Sequence, residues 1–482
     1  MENADLKAKL GTHHLEEFAL KPVLKPIHLW AIAVGMVISG DFFGWNFGLK
    51  NSDPVGFVTA IGLVTLLYIT FVFSYTELTT AIPNSGGPYA YARRAMGPFA
   101  GFIAGFATLI EFVFAPPAIA LGIGAYLEFI ATTFGLALPP LLSMEPRVWI
   151  ALLAFALFIG INLRGIKEAV TLELVVTLLA IFVLLVFYAI TLPHLKFTQL
   201  LQPPLFEKGW GGVFSALPFA IWFYLCIEGV AMSAEETANP RKDVPLGYIA
   251  GIGTLVFLTL AVTVCTLGVT PLSTLAEVQY PLPDAAARVL PAGHWLIKMI
   301  AVLGVFGLIA SFNGIIIGYS RQAFALARAH YLPHLMAHIH PRTQVPHWAL
   351  ILPGIFGMAA CLTGFTDQII TISAMGGLVL YIVSMISLFV LRVEDPEMHR
   401  PFIAPFYPFF PAVALTLSVL ALVTMAWFNA LLYLILLGLF ALGSLYFLLV
   451  RREVESEEEL YSVDDFEHLH QTGELPALLD NP

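Results

Sequence analysis

Residues 38–48 of the chain read ISGDFFGWNFG and lie in the middle of its first long apolar run. Two glycines, Gly40 and Gly44, bracket the carboxylate of Asp41. Glycine weakens a helix interior and lets the backbone open. An ionisable side chain at membrane depth costs about 2.5–3.5 kcal/mol on insertion scales. The stretch therefore predicts a spanning helix interrupted at its centre, where backbone groups and a carboxylate can bind a solute. A structural kink with a hydrogen-bonded acid is the alternative.

The whole chain has the composition of a membrane protein. Apolar residues make up 59% of the 482 residues and charged residues 12%, against about 45–50% and 25% in soluble proteins. A spanning helix needs about 20 mostly apolar residues, and twelve runs meet that need. The predicted spans, numbered 1 to 12 in chain order, are 28–50, 54–79, 98–130, 147–163, 169–193, 212–234, 247–269, 292–328, 346–364, 366–392, 404–427 and 429–450.

The basic residues orient these spans. With the amino terminus in the cytoplasm, 17 of the 23 lysines and arginines fall on the cytoplasmic side, as the positive-inside rule requires. We therefore expect both termini to be cytoplasmic. Of the formal net charge of −10, residues 451–482 carry −8, from ten acids and two bases. The acidity belongs to a tail, and a nucleic-acid partner has no support.

A second break is expected in span 6, where Glu228 stands beside Gly229. Interruptions five spans apart indicate an inverted repeat of five plus five helices, with the solute site between the halves. The expected organisation is an amino-terminal segment 1–27, a ten-helix transport core 28–392 with repeats 28–193 and 212–392, accessory spans in 393–450 and an acidic tail 451–482. The predicted fold class is an all-α integral membrane protein of twelve transmembrane helices with spans 1 and 6 broken.

Four acids stand out at membrane depth, Asp41, Glu111, Glu173 and Glu228, and no lysine or arginine lies at the same depth. This pattern suits a cationic solute or protons. Glu111 and Glu228 are candidates for gating or proton coupling. The alternative for Glu111 is a hydrogen bond to a neighbouring helix, and that for Glu228 is a proton-bearing structural acid. Glu173, near the cytoplasmic start of span 5, is expected to reach water and to be structural.

Aromatic rings beside the breaks offer faces to an ammonium group, although most aromatic side chains simply pack. Polar groups of span 8 offer partners for a hydroxyl. The candidate substrate-binding residues are Asp41, Gly40, Gly44, Trp45, Glu111, Phe114, Trp222, Tyr224, Glu228, Ser311 and Asn313.

Span 8 also carries a stripe of small residues, spaced three or four apart: Gly304, Gly307, Ser311, Gly314 and Gly318. Such a stripe is typical of tight helix packing within a membrane. It predicts that this face of span 8 lies in the protein interior.

Three further motifs resemble the amino acid–polyamine–organocation transporters, over roughly residues 25–450. They are residues 77–91, which include PNSGGPYAY after span 2, residues 235–241, EETANPR, after span 6, and residues 321–333 at the end of span 8. The resemblance implies a LeuT-type fold and secondary transport by alternating access across a bacterial inner (plasma) membrane. By spacing, Trp222 and Glu228 are similar to a site tryptophan and a gating or proton-sensing glutamate of related exchangers.

Within that superfamily, residues 38–48 resemble the bacterial ethanolamine permeases, which implies a small amino alcohol as substrate. Amino-acid members usually have small residues at the first break, whereas this chain has Asp41. A carboxylate there repels a substrate carboxylate and pairs with an ammonium group. Many members also have a lysine in span 5 at the position of Ala180, so coupling through such a lysine is not expected.

The alternatives differ in cargo and in class. An amino-acid or polyamine exchanger would keep the same fold, and a membrane-embedded sensor would signal through the acidic tail. An enzyme is not expected, since no nucleophile motif, phosphate loop or metal spacing is present, and no metal or cofactor is expected. We expect coupling to protons, with sodium open, and a small cationic substrate and the lipid bilayer as partners of a monomer or homodimer.

Overall fold

The computed structural model describes residues 24–164, 169–200, 203, 205–343 and 345–455. In these residues the protein is all α-helical, and the two isolated β-bridges, Leu24 with Thr237 and Leu141 with Met144, form no strand there. The predicted amino-terminal segment up to residue 23 and the acidic tail from residue 456 lie outside the described residues.

Nine helices in the described part of the chain are long and apolar enough to cross a membrane. They form spans 2 to 5, 7, 8 and 10 to 12: Pro54–Ala81, Pro98–Thr133, Pro146–Leu163, Ala169–Thr191, Pro240–Leu267, Trp295–Arg328, Thr366–Glu394, Phe409–Phe428 and Ala430–Glu455. Three shorter apolar helices, Pro26–Phe42, Gly209–Ile221 and His347–Cys361, lie in spans 1, 6 and 9. The nine long helices and the three shorter ones correspond to the twelve predicted spans, so the predicted fold class is confirmed.

Proline begins many of these helices. Pro54, Pro98, Pro146 and Pro240 each stand in the first turn, where the missing N–H has no partner to lose and the fixed φ suits the helix. Short helices of the connections were not predicted, because only spanning runs were sought. They include Pro88–Met96 between spans 2 and 3 and Pro281–Val289 between spans 7 and 8.

Span 3 is the central helix of the bundle, with spans 8 and 10 packed along it. The small-residue stripe of span 8 is buried, as predicted. The ring of Phe42 lies on Gly304 and Gly307, and the side chain of Met36 lies on Gly314 and Gly318. These contacts hold the first half of span 1 close to span 8.

The described chain begins and ends at one face of the bundle, called here the terminal face. Leu24 forms backbone hydrogen bonds of 2.9 Å with Glu236 and with Ala238, just beyond span 6. Arg321 at the end of span 8 forms an ion pair of 2.7 Å with Glu236. These contacts close the terminal face between spans 1, 6 and 8.

The other face, called the opposite face, carries a cavity of about 600 Å³. Its lining comes from the ends of spans 1, 6 and 10 and from the turn between spans 11 and 12, and includes Lys208, Ser215, Asp367, Thr371 and Asn429. The lining combines polar side chains with apolar ones such as Phe219, Phe428 and Leu432.

Candidate functional site

Span 1 is broken where the sequence predicts it. Helix Ser39–Phe42 ends at Phe43, whose backbone is extended, and Gly44 follows with φ 93° before a 3-10 helix begins at Trp45. That φ lies in the left-handed region that glycine adopts without a steric penalty. The freed carbonyl groups have partners: the Tyr126 hydroxyl donates to the oxygen of Phe42 and the Trp222 indole to that of Phe43, each at 2.8 Å.

Span 6 is broken slightly earlier than predicted. Its first helix ends at Ile221, and Glu228 begins the second half, a 3-10 helix Ile227–Glu236. Between them Cys226 has φ 73°, a left-handed conformation that is strained for a residue with a side chain. The sequence cue was the acid beside Gly229, but the backbone reverses at Cys226, for which the sequence gives no cue.

The two breaks touch. A methyl group built on Gly40 would lie 2.6 Å from the carbonyl oxygen of Trp222, and one on Gly44 would lie 2.8 Å from the Trp222 indole nitrogen. Both distances are shorter than any real carbon contact, so glycine is required at both positions. Three separate candidates of the sequence thus meet at the centre of the bundle. Their contact, formed by Gly40, Gly44 and Trp222, is called here the junction.

Two of the predicted acids form a cluster beside this junction. A side-chain ligand atom from each of Glu111, Cys226 and Glu228 lies within 4.8 Å of the other two. The Tyr381 hydroxyl lies 3.3 Å from Glu111 Oε1 and 3.2 Å from Glu228 Oε2. The backbone N–H of Cys226 donates to Glu111 Oε1 at 3.1 Å. Since two charged carboxylates at this distance repel each other, the cluster is suited to hold a shared proton or a cation.

Asp41 lies apart from that cluster. It is fully buried, and neither carboxylate oxygen has a hydrogen-bond partner. It is not one of the three side chains, Glu111, Cys226 and Glu228, whose ligand atoms lie within 4.8 Å of one another. The protein therefore has two acidic centres at the breaks. Both oxygens of Asp41 lack a partner, whereas Glu111 and Glu228 each have one bonded oxygen and one without a partner.

Two predicted aromatic residues pack inside the bundle. The ring of Trp45 is stacked between Phe57 and Phe223 at centroid distances of 5.9 and 5.6 Å. Tyr224 stacks on Tyr68 and shares a 2.7 Å hydrogen bond with the Thr65 hydroxyl. These contacts fix the walls of the junction rather than leaving ring faces open.

The remaining candidates are less central than expected. The Ser311 hydroxyl donates to the oxygen of Gly35 at 2.7 Å and accepts from the N–H of Ser39 at 2.9 Å, so it ties span 8 to span 1. Asn313 accepts a hydrogen bond from Asn162 of span 4. Phe114 is only half-buried.

Several central residues were missed. Phe112, two positions before Phe114, packs against Gly229 and Gly318. Tyr381 and Tyr126 bond to the cluster and to the first break, respectively, but lie in spans 10 and 3, which were not predicted to be broken. Glu173, expected to reach water, is buried, with 9% exposure. Its spacing of four from the buried Thr177 and seven from Ala180 was the signal that could have placed it on the inner face.

The sequence profile of a protein family described as "Amino acid permease" matches residues 24–448 of the chain. The chain belongs to this amino acid permease family. Its members are transporters of the amino acid–polyamine–organocation superfamily, so the expected transporter, rather than an enzyme, agrees with the family. Several curated relatives match most of the permease chain.

An uncharacterized transporter of Rhizobium meliloti (strain 1021) is 31% identical, over 83% of this chain and 85% of its own. A branched-chain amino acid permease of Bacillus subtilis (strain 168) is 26% identical, over 90% of this chain and 94% of its own. A methylthioribose transporter of the same organism is 26% identical, over 82% and 87%. The permease therefore matches its relatives over nearly the full length of each.

Proposed function

We propose that this permease imports a small organic amine across the bacterial inner membrane by alternating access, with ethanolamine as the first candidate. The observation that carries the proposal is Asp41, a fully buried carboxylate at the first break whose two oxygens have no hydrogen-bond partner. An ammonium group is the natural partner for such a carboxylate, because a charge-assisted hydrogen bond repays part of the cost of burying the charge.

The charge pattern of the bundle supports a cationic solute. Asp41, Glu111, Glu173 and Glu228 are all buried among the spans, and no lysine or arginine of the described residues is buried in the same way. An anionic solute would meet only repulsion there. A neutral solute would leave the charge of Asp41 without a partner.

The broken spans support alternating access. Half-helices that meet at mid-membrane can tilt separately, so that each face opens in turn around a fixed site. The junction residues Asp41, Trp45 and Trp222 are 0–3% exposed. The terminal face is closed by paired backbone and ion-pair contacts, and the opposite face has a cavity of about 600 Å³. With both termini in the cytoplasm, as the basic residues predict, this arrangement is that of a site closed to the cytoplasm.

Amino-acid transport is the second candidate, and the names of the relatives favour it. One relative is named for branched-chain amino acids. Another is named for methylthioribose, which is not an amino acid, so membership of the family leaves the cargo open. An amino acid would also bring a carboxylate, which Asp41 repels unless a second group neutralises it.

The test is uptake of labelled ethanolamine into proteoliposomes, with ethanolamine, choline, leucine, lysine and putrescine as competitors. We expect ethanolamine to compete best. Inhibition by leucine or lysine but not by ethanolamine would establish the amino-acid alternative.

The Asp41→Asn variant tests the ammonium contact itself. Asparagine keeps the size of the side chain and removes the charge, so we expect the KM for ethanolamine to rise by about 10- to 100-fold, the value of a hydrogen bond to a charged group. Glu277→Gln is the matched control, because Glu277 is an exposed acid. An unchanged KM in Asp41→Asn would show that the ammonium group binds elsewhere.

A further inference from the structure

The carboxylate of Glu173 in span 5 is buried and has no assigned role in binding the solute. Its Oε1 atom has no hydrogen-bond partner. Its position belongs neither to the Asp41 centre nor to the Glu111–Glu228 cluster. A buried carboxylate without a partner is expensive, so its place in the bundle calls for a physical explanation.

The surroundings of Glu173 are shaped by glycines on two other spans. A methyl group built on Gly35 of span 1 would collide with Glu173 Oε1, and one built on Gly314 of span 8 would lie 3.6 Å from the same atom. One turn further along span 5, the Thr177 hydroxyl donates to the carbonyl oxygen of Ala31 at 3.4 Å. The half of span 1 toward the terminal face, Pro26–Val37, is called here the inner half. It packs directly on the carboxylate of Glu173, which fits there only because Gly35 has no side chain.

No charged group balances this carboxylate. Spans 1, 7 and 8 and the connecting helix Pro281–Val289 pack against span 5. The charged residues of that connecting helix, Asp284 and Arg288, pair with each other, and Glu173 forms no ion pair with the described residues. The polar groups around it are the Thr177 hydroxyl and, on the same stretch of span 1, the carbonyl of Gly35, which already accepts from Ser311. These are too few oxygen ligands for a divalent cation, which takes about six.

We propose that Glu173 is a proton-binding site that controls the docking of the inner half of span 1 against spans 5 and 8. With its proton, the side chain is neutral and the half-helix packs over it. When the proton leaves to water at the terminal face, the ionised carboxylate of Glu173 is stable only if water reaches it. The half-helix then moves away and admits water. Protonation thus closes the terminal face, and deprotonation opens it.

This step deepens the proposed transport, but the docking equilibrium can be tested without any solute. An Ala31→Cys variant places a thiol on the docked half-helix, and the three natural cysteines are buried, so the background is low. In open membranes, every labelling rate with a membrane-impermeant maleimide is divided by the rate for the same protein unfolded in detergent at the same pH, because the reactive thiolate fraction itself rises with pH. The relative rate should be low at low pH and at least tenfold higher at high pH. Adding Glu173→Gln should keep the relative rate low at every pH, because glutamine is neutral throughout.

Two control variants separate a proton site from a packing role. Thr177→Val removes the neighbouring hydroxyl but keeps the acid, so the pH response should remain. Glu277→Gln, at an exposed position, should also leave it unchanged. Labelling that does not depend on pH in the parent Ala31→Cys protein, or that stays pH-dependent after Glu173→Gln, would overturn the proposal. So would labelling that responds to sodium at fixed pH and not to pH itself.

Transport provides the second measurement. In proteoliposomes, Glu173→Gln should retain exchange of internal for external solute but lose accumulation driven by a pH gradient. If labelling follows pH as expected and no ethanolamine is transported, the proton site stands and the assignment of the substrate falls. If Glu173→Gln still accumulates solute under a pH gradient, the coupling role of Glu173 is wrong.

Discussion

At the scale of single residues, the partners of each buried acid distinguish its role. Glu111 and Glu228 share one tyrosine hydroxyl and lie beside each other, whereas Asp41 has no partner. Glu111 and Glu228 each have one oxygen held by Tyr381 and one without a partner, so the pair is suited to share a proton. Asp41, with both oxygens free, is better suited to bind a solute. The sequence alone showed all three only as acids within apolar runs.

The Tyr381→Phe variant tests the carboxylate cluster. It removes the hydroxyl that lies between Glu111 and Glu228 and leaves two carboxylates without their common donor. Since a hydrogen bond to a charged group is worth about 1.5–3 kcal/mol, we expect transport to fall about 10- to 100-fold and its pH profile to change shape.

Tyr68→Phe is the matched control, because the Tyr68 hydroxyl bonds at 2.9 Å to Tyr381 but is no partner of either carboxylate among the hydrogen bonds described. We expect a smaller loss and an unchanged pH profile. Equal effects of the two substitutions would mean that the tyrosines act only by packing.

Sequence reasoning identified the chemistry of the site better than its geometry. Gly40, Asp41 and Gly44 were found because glycine and a carboxylate are both unfavourable in a spanning helix. Phe114 was chosen because it follows Glu111 at helical spacing and could share its face, whereas the structure buries Phe112 fully and leaves Phe114 half-buried. Tyr381 lies far along the chain, in span 10, and only the packing of span 10 on span 3 brings it to Glu111.

At the scale of helices, the breaks of spans 1 and 6 could be predicted because they depend on local sequence. Their contact could not, since it depends on how the two half-helices pack. The spacing of small residues on span 8 could be read for the same reason, since it too is a local pattern. The structure adds that the side chains of Met36 and Phe42 fill the groove which these small residues form.

The Gly307→Ala variant tests that groove. An added methyl group would lie 2.6 Å from the ring of Phe42, so the ring at the first break must move, and overpacking of this kind costs about 1–3 kcal/mol. We expect a lower melting temperature in detergent and slower transport. In Gly62→Ala, the methyl group meets nothing within 4 Å, so the melting temperature should stay the same or rise. A Gly307→Ala protein as stable as the parent would show that span 8 does not hold span 1 tightly.

At the scale of the whole molecule, the accessory spans are tied to the core at the terminal face. The buried carboxylate of Glu77 in span 2 accepts from Arg392 of span 10 and from the backbone N–H of Ala404, each at 2.8 Å, and forms an ion pair with Arg400 at 3.3 Å. This clasp joins the end of span 10 and the segment before span 11 to the core. The contacts that close the terminal face, those of Leu24 and Arg321, involve none of these residues. Mutations can therefore weaken the closed face without detaching the accessory spans.

The Arg321→Gln variant tests closure of the terminal face. Arg321 pairs with Glu236 at 2.7 Å and donates to the Ser233 hydroxyl at 3.0 Å, which holds the second half of span 6 against span 8. Without the positive charge, the terminal face should open more often. With the Ala31→Cys reporter, we expect faster labelling by an impermeant maleimide even at low pH, where Glu173 keeps its proton.

Arg328→Gln is the matched control, because Arg328 ends the same helix and contacts the Phe324 ring instead. Labelling of Arg321→Gln as slow as that of the parent would mean that the backbone pairing of Leu24 is sufficient to keep this face closed.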